Sequence, residues 1–168
     1  MRRSKARGAI AVICGTSLLL GLGLGSGLAA TPVVRSKGQT IYATAYSYVL
    51  LGAGDHKMSV TSTLVIRNTD VASSITLTTV DYRDSKGGHV RHFVEEPVVI
   101  GPLASTEFVV PELDRTGGHS PSFVVQWGAN KSVNAPVVET LMMGGRGLKG
   151  ISFVGRAWVI DEVGDPQD

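Results

Sequence analysis

Short apolar runs recur along this chain about every ten residues, most of them alternating in polarity and each closed by Gly, Pro, Asn or Asp. The clearest is "MSVTSTLVIRN", where Val60, Leu64 and Ile66 point one way and Ser59, Thr61, Thr63 and Arg67 the other. A period of two puts one face of a strand on a core and leaves the other to solvent. "TIYATAYSYVLL" alternates from Ile41 and Tyr42 onward. "SITLTTVDYRD" changes phase: Ile75 and Leu77 share a face, whereas Val80 and Tyr82 have the opposite parity, and a one-residue bulge near Thr78 and Thr79 reconciles them. "DSKGG" supplies a hairpin turn, and "HVRHFVEE" returns. "PVVIGPLASTEFVVP" is two short strands broken at Gly101 and Pro102, since proline cannot donate to a ladder. "SFVVQWGA", "APVVETLMM" and "GISFVGRAWVID" complete the series, and no segment carries helical periodicity.

These runs predict an all-β fold, an antiparallel immunoglobulin-like β-sandwich of about seven to nine strands, with a closed barrel as the alternative. Antibody-type domains pair two cysteines around a tryptophan. That signature is missing here, so the expectation concerns architecture only.

Residues 1–30 differ from the rest. Arg2, Arg3, Lys5 and Arg7 precede the apolar run "AIAVICGTSLLLGLGLG", which closes in the small-residue exit "SGLAA". That order is expected of a secretory signal peptide cleaved after Ala29 or Ala30; a retained membrane anchor is the alternative. The whole chain carries 16 basic and 14 acidic residues, and setting aside the leader's four basic residues leaves 12 against 14, a formal net charge of −2. A near-neutral mature chain has no global field to attract nucleic acid. Cys14, the sole cysteine, departs with the leader, leaving no disulfide, thiolate nucleophile or cysteine metal ligand. The domain must then rely on its own core, which about 138 residues can build. The expected organisation is a flexible tether over 31–39, one sandwich domain over 40–161 and an acidic tail over 162–168.

The stretches "YSYVLLG", "LVIRNTD", "ITLTTVDYRDSKG", "PLASTEFVVPELDRTGG", "FVVQW", "PVVETLMM" and "GISFVGRAWVI" follow one another in an order that resembles the bacterial family called domain of unknown function 3124. The resemblance runs from about Thr40 to Asp161, with "IRNTD" and "PLASTEFVV" its most specific parts. It implies a small exported or lipid-anchored envelope protein. It assigns no activity and no catalytic residue to any position.

Candidate chemistry is sparse. In "FVVPELDRTGGHSPSFVVQW", Glu112, Asp114 and Thr116 alternate before Gly117 as in the first half of a calcium loop, but the position of the bidentate glutamate is Phe123. A connection between strands is the simpler reading, with Gly117 and Gly118 taking positive φ and Asp114 and Arg115 capping or pairing locally. His89 and His92 are three apart, which on a regular strand places them on opposite faces, so a zinc site within that strand is not expected. No G-x-S-x-G, Walker loop or dinucleotide fingerprint occurs in the mature chain, and a catalytic use of Asp81 and Asp84 gives way to a hairpin reading. Trp127, Trp158, Phe108, Phe123 and Phe153 are expected in the core, and Met142 and Met143 on opposite faces of a strand.

The expectation is therefore an exported, non-catalytic accessory or protein-binding module of the envelope, without cofactor, acting through loops at one end or through an exposed edge strand. Among loops, Glu112, Asp114, Arg115 and His119 are the candidate binding residues. The alternative is a metal carrier or metal-dependent hydrolase, which requires at least three of His56, His89, His92, His119, Glu95, Glu96, Asp81 and Asp114 to meet at one point.

Overall fold

The structure is a computed structural model describing residues 33–52, 56–146 and 149–162. Among these there is no helix, and twelve strands follow in chain order: β1 (Arg35–Thr44), β2 (Tyr48–Leu51), β3 (His56–Ser59), β4 (Thr61–Arg67), β5 (Ile75–Arg83), β6 (His89–His92), β7 (Val98–Ile100), β8 (Ser105–Val110), β9 (Ser122–Asn134), β10 (Val137–Arg146), β11 (Lys149–Gly155) and β12 (Ala157–Glu162). The count exceeds the expected seven to nine because three apolar runs each divide where the chain leaves one sheet for another: at Ala45–Ser47, at Val60 and at Arg156. Alternation continues through such a crossing, so it leaves no mark in the polarity pattern.

One sheet has the order β12-β1-β9-β5-β6, with β7 also paired to β5; a second has the order β11-β10-β4-β8; β2 and β3 form a separate hairpin. All pairings are antiparallel. Both large sheets feed one core: Ile41, Leu77, Val80, Tyr82, Phe123, Val125 and Trp127 from the first meet Leu64, Ile66 and Val110 from the second. This is the antiparallel β-sandwich, each fully buried large side chain contributing about 1.5–3 kcal/mol.

The phase change in β5 is a bulge at Thr78: Leu77 pairs with Trp127 and Thr79 with Gln126, leaving the residue between them without a partner. Ile75, Leu77, Val80 and Tyr82 are in consequence all at 0% exposure. Asp81 then faces the outer surface of the sheet, opposite Val80 and Tyr82.

The tether needs correction. Arg35 to Gln39 belong to β1 and pair with β9, and the buried Ser36 and Gln39 side chains donate to Glu162 Oε2 and Oε1, both at 2.6 Å. Polar residues that resemble a linker here bond within the sheet, and Glu162 is strand, not tail. The expected leader and the residues after Glu162 lie outside the described residues.

The two stretches most specific to the family resemblance meet in space. Asn68, in "IRNTD", donates through Nδ2 to the carbonyls of Ser73 (2.7 Å), Ile100 (3.1 Å) and Gly101 (2.9 Å), while its Oδ1 accepts from Asp70 N. Asp70 accepts from the N–H groups of Ala72, Ser73 and Asn134. The start of "PLASTEFVV" is bound to the same knot, with Leu103 N donating to Asp70 O and Asn68 N to Ala104 O. Leu103 takes a positive φ of 56° there. These residues tie together the exits and entries of β4, β5, β7 and β8, a structural task.

Candidate functional site

The connection between β8 and β9 folds as two turns, closed by Asp114 N to Pro111 O and by Gly118 N to Arg115 O. Asp114 holds it: Oδ1 accepts from Thr116 N and Oγ1, and Oδ2 pairs with Arg91 at 2.6 Å. Partial burial raises its pKa, but the Thr116 hydrogen bonds and Arg91 outweigh that and hold the carboxyl below its usual range. Arg115 donates to Ser59 Oγ at 2.9 Å. Asp114 thus caps the turn locally, as the turn reading expected, whereas Arg115 reaches out of the loop to β3. Gly118 has the positive φ of 74°, whereas Gly117 does not; Gly117 is required because a Cβ there would run into Tyr82 Oη and Pro121. Ser85, in the β5–β6 turn, donates through N and Oγ to Gly117 O and accepts from Ser120 N, fastening the two loops together. Glu112 lies away from His119, beside a shallow depression lined by Met143, Gly144 and Ile151.

His119 is the member of the loop that reaches a ligand-sized concavity. Its ring stacks on Tyr48 at 4.5 Å between centroids and meets Tyr46 edge-on at 6.0 Å. Phe153 packs edge-on against Tyr46 from the other side at 5.8 Å. With Leu50, Arg156 and Trp158 these rings line a groove of about 510 Å³. Its end position is set by Ser47 N donating to His119 O. Lys57 Nζ lies 4.6 Å over the Tyr48 ring, and neither Lys57 nor Arg156 has a carboxylate partner among the described residues. Sequence reasoning placed Trp158 and Phe153 in the core. Trp127 and Phe123 are there and Phe108 packs against it, but Phe153 is half-buried in the groove wall and Trp158 is 50% exposed. The reason is the crossing at Arg156, which carries β12 to the outer edge of its sheet.

Beside the groove, β12 pairs only with β1 among the described residues. Trp158, Val159 and Ile160 are 50%, 47% and 59% exposed, so this edge is apolar on both of its faces.

At the opposite edge of the same sheet the structure overturns a second expectation. In the β5–β6 ladder Asp81 pairs with His92, Tyr82 with Arg91 and Arg83 with His89, so Val90 is an extra residue in β6. That bulge turns His89 onto the face of His92, instead of opposite faces. Val90 packs inward against the core. His92 Nδ1 lies 2.5 Å and His89 Nε2 3.8 Å from Asp81 Oδ1, with the two rings 4.2 Å apart. Arg83 Nη2 is 3.5 Å from Oδ2. Of the eight residues from which the metal alternative requires at least three to meet, Asp81, His89 and His92 come together; His56, His119, Glu95, Glu96 and Asp114 join no such group among the described residues.

A family model described as protein of unknown function (DUF3124) matches residues 38–160, from within β1 to within β12. No curated protein matches the chain. A solved structure, described as the crystal structure of Thermotoga maritima 1070, is similar at 14% identity and a TM-score of 0.35, over 70% of this chain and 92% of that one.

Proposed function

The chain belongs to the DUF3124 family of proteins of unknown function, and from that premise we propose that it is an exported, non-catalytic binding module of the cell envelope that grips an extended segment of a partner protein along β12. The observation that carries this is the edge itself. Trp158, Val159 and Ile160 are exposed on a strand with one free ladder side, a surface that soluble domains ordinarily blunt with charge or cover. A peptide strand added there gains main-chain hydrogen bonds, and its side chains reach the aromatic groove next to it. Arg156 in the groove wall and Lys57 over the Tyr48 ring have no acidic partner among the described residues, which favours a segment that mixes acidic and apolar residues. Of the candidate loop, His119 belongs to this surface. The basic head and apolar run at the start of the chain support export.

The test is selection from a displayed library of random peptides against the purified protein. The expected winners alternate apolar and acidic residues, and lose about tenfold or more in affinity to the Trp158→Ala and Arg156→Glu variants. Winners that bind both variants as tightly as the parent would overturn the proposal.

A further inference from the structure

We propose that Asp81, His89 and His92 form a binding site for a borderline divalent transition-metal ion of the zinc, copper(II) or nickel(II) class. One carboxylate oxygen and two imidazole nitrogens lie within 4.8 Å of one another. Two imidazoles and a carboxylate are the donor set those ions prefer, whereas calcium and magnesium take oxygen.

The set is built into the sheet. Asp81 comes from β5, whose outward direction at this point is decided by the bulge at Thr78. His89 and His92 come from β6, brought to one face by the bulge at Val90. Two independent irregularities therefore aim three ligands at one spot, and bulges are devices that re-aim side chains.

The second observation is the state of the carboxylate. Asp81 is 7% exposed and its Oδ1 has no hydrogen-bond partner. His92 Nδ1 is close to that oxygen but is not aligned to donate to it. A buried carboxylate oxygen that receives no hydrogen bond is costly, and a cation shared with the neighbouring imidazole nitrogens offsets that cost. Arg83 sits on the other oxygen, Oδ2, where it orients the carboxylate and leaves Oδ1 for the ion. Both imidazoles are on the exposed side, so their rings rotate into place without moving the backbone, and water completes the coordination shell.

This site lies on β6, at the other end of the sheet from β12, and stands or falls separately from the binding edge. The experiment is calorimetric titration of the untagged, chelator-treated protein with zinc, copper(II), nickel(II) and calcium salts, followed by thermal unfolding at saturating metal. Saturable one-to-one binding of at least one of the three transition ions is expected, with a raised unfolding temperature, since an ion that binds the folded state selectively stabilises it. His89→Ala and His92→Ala change exposed residues and leave the fold intact; each should weaken binding by about tenfold or more, with His56→Ala as a control that binds like the parent. Failure of all three ions to bind, affinity unaltered in both histidine variants, or binding of calcium alone would overturn the proposal.

Discussion

Replacing Asn68 with Ala tests whether the family's most specific stretches serve the fold. Asn68 is 2% exposed, and its amide donates to three carbonyls while accepting from Asp70 N. Alanine removes all four contacts at once. The two amide hydrogens are shared among three acceptors, so the loss amounts to two donated bonds and one accepted bond. Each lost bond is worth about 1–1.5 kcal/mol, for a total of about 3–4.5 kcal/mol. In a domain of this size that lowers the unfolding temperature by about 10–15 °C. Circular dichroism melts of parent and variant, with a urea titration to confirm an unchanged m-value, measure it. A shift under about 3 °C would show that these bonds add nothing beyond what water supplies, and would refute the assignment of "IRNTD" to structure.

Other substitutions separate structural from binding residues. Gly117→Ala, whose Cβ meets Tyr82 Oη and Pro121, should cost about 1–3 kcal/mol in denaturant unfolding, whereas Gly87→Ala, strained only by its φ of 84° in an open turn, should cost less. Arg156→Glu removes no side-chain ion pair among the described residues and keeps the carbonyl that accepts from Thr44, so it should leave the melting temperature within about 2 °C of the parent while weakening peptide capture about tenfold or more. Asp70, held low chiefly by the Ala72 and Asn134 N–H groups, and Asp114, where the Thr116 bonds and Arg91 overcome partial burial, both have depressed folded-state pKa values. Their contribution to stability is therefore full above the unfolded carboxylate pKa of about 3.9 and is lost as the pH falls through the folded values. Melts from pH 7 down to pH 2 should be flat at first and then decline below about pH 4, and Asp114→Asn should make the decline shallower.

What the sequence made legible was whatever a single strand encodes by itself. The bulge at Thr78 could be inferred because Ile75, Leu77, Val80 and Tyr82 are all too apolar to share out between core and solvent. Met142, at 0% exposure, and Met143, at 55%, fall on opposite faces for the same reason. The bulge at Val90 was not legible: valine is welcome on either face, and the register that makes it the extra residue is set by Arg83 and the turn at Asp84–Gly88. With that register hidden, alternation puts His89 and His92 on opposite faces, and which three of the eight candidate ligands meet is not legible before the fold brings Asp81, His89 and His92 together. The groove was hidden for a related reason. Tyr46, Tyr48, His119 and Phe153 come from three separated segments, and only the folded sandwich stacks them. Trp158 looked like core because large aromatics usually are, and nothing local to β12 announces a sheet edge.

Hydrogen–deuterium exchange of the purified protein, with and without a peptide from the library selection, tests the binding-edge account most directly. Pairing along β12 predicts slowed exchange of amides within Ala157–Glu162, with the rates at two distant sheet edges, β6 and β8, unaltered. Protection confined to β6 or β8, or to loop amides with β12 exchanging as fast as in the free protein, would contradict it.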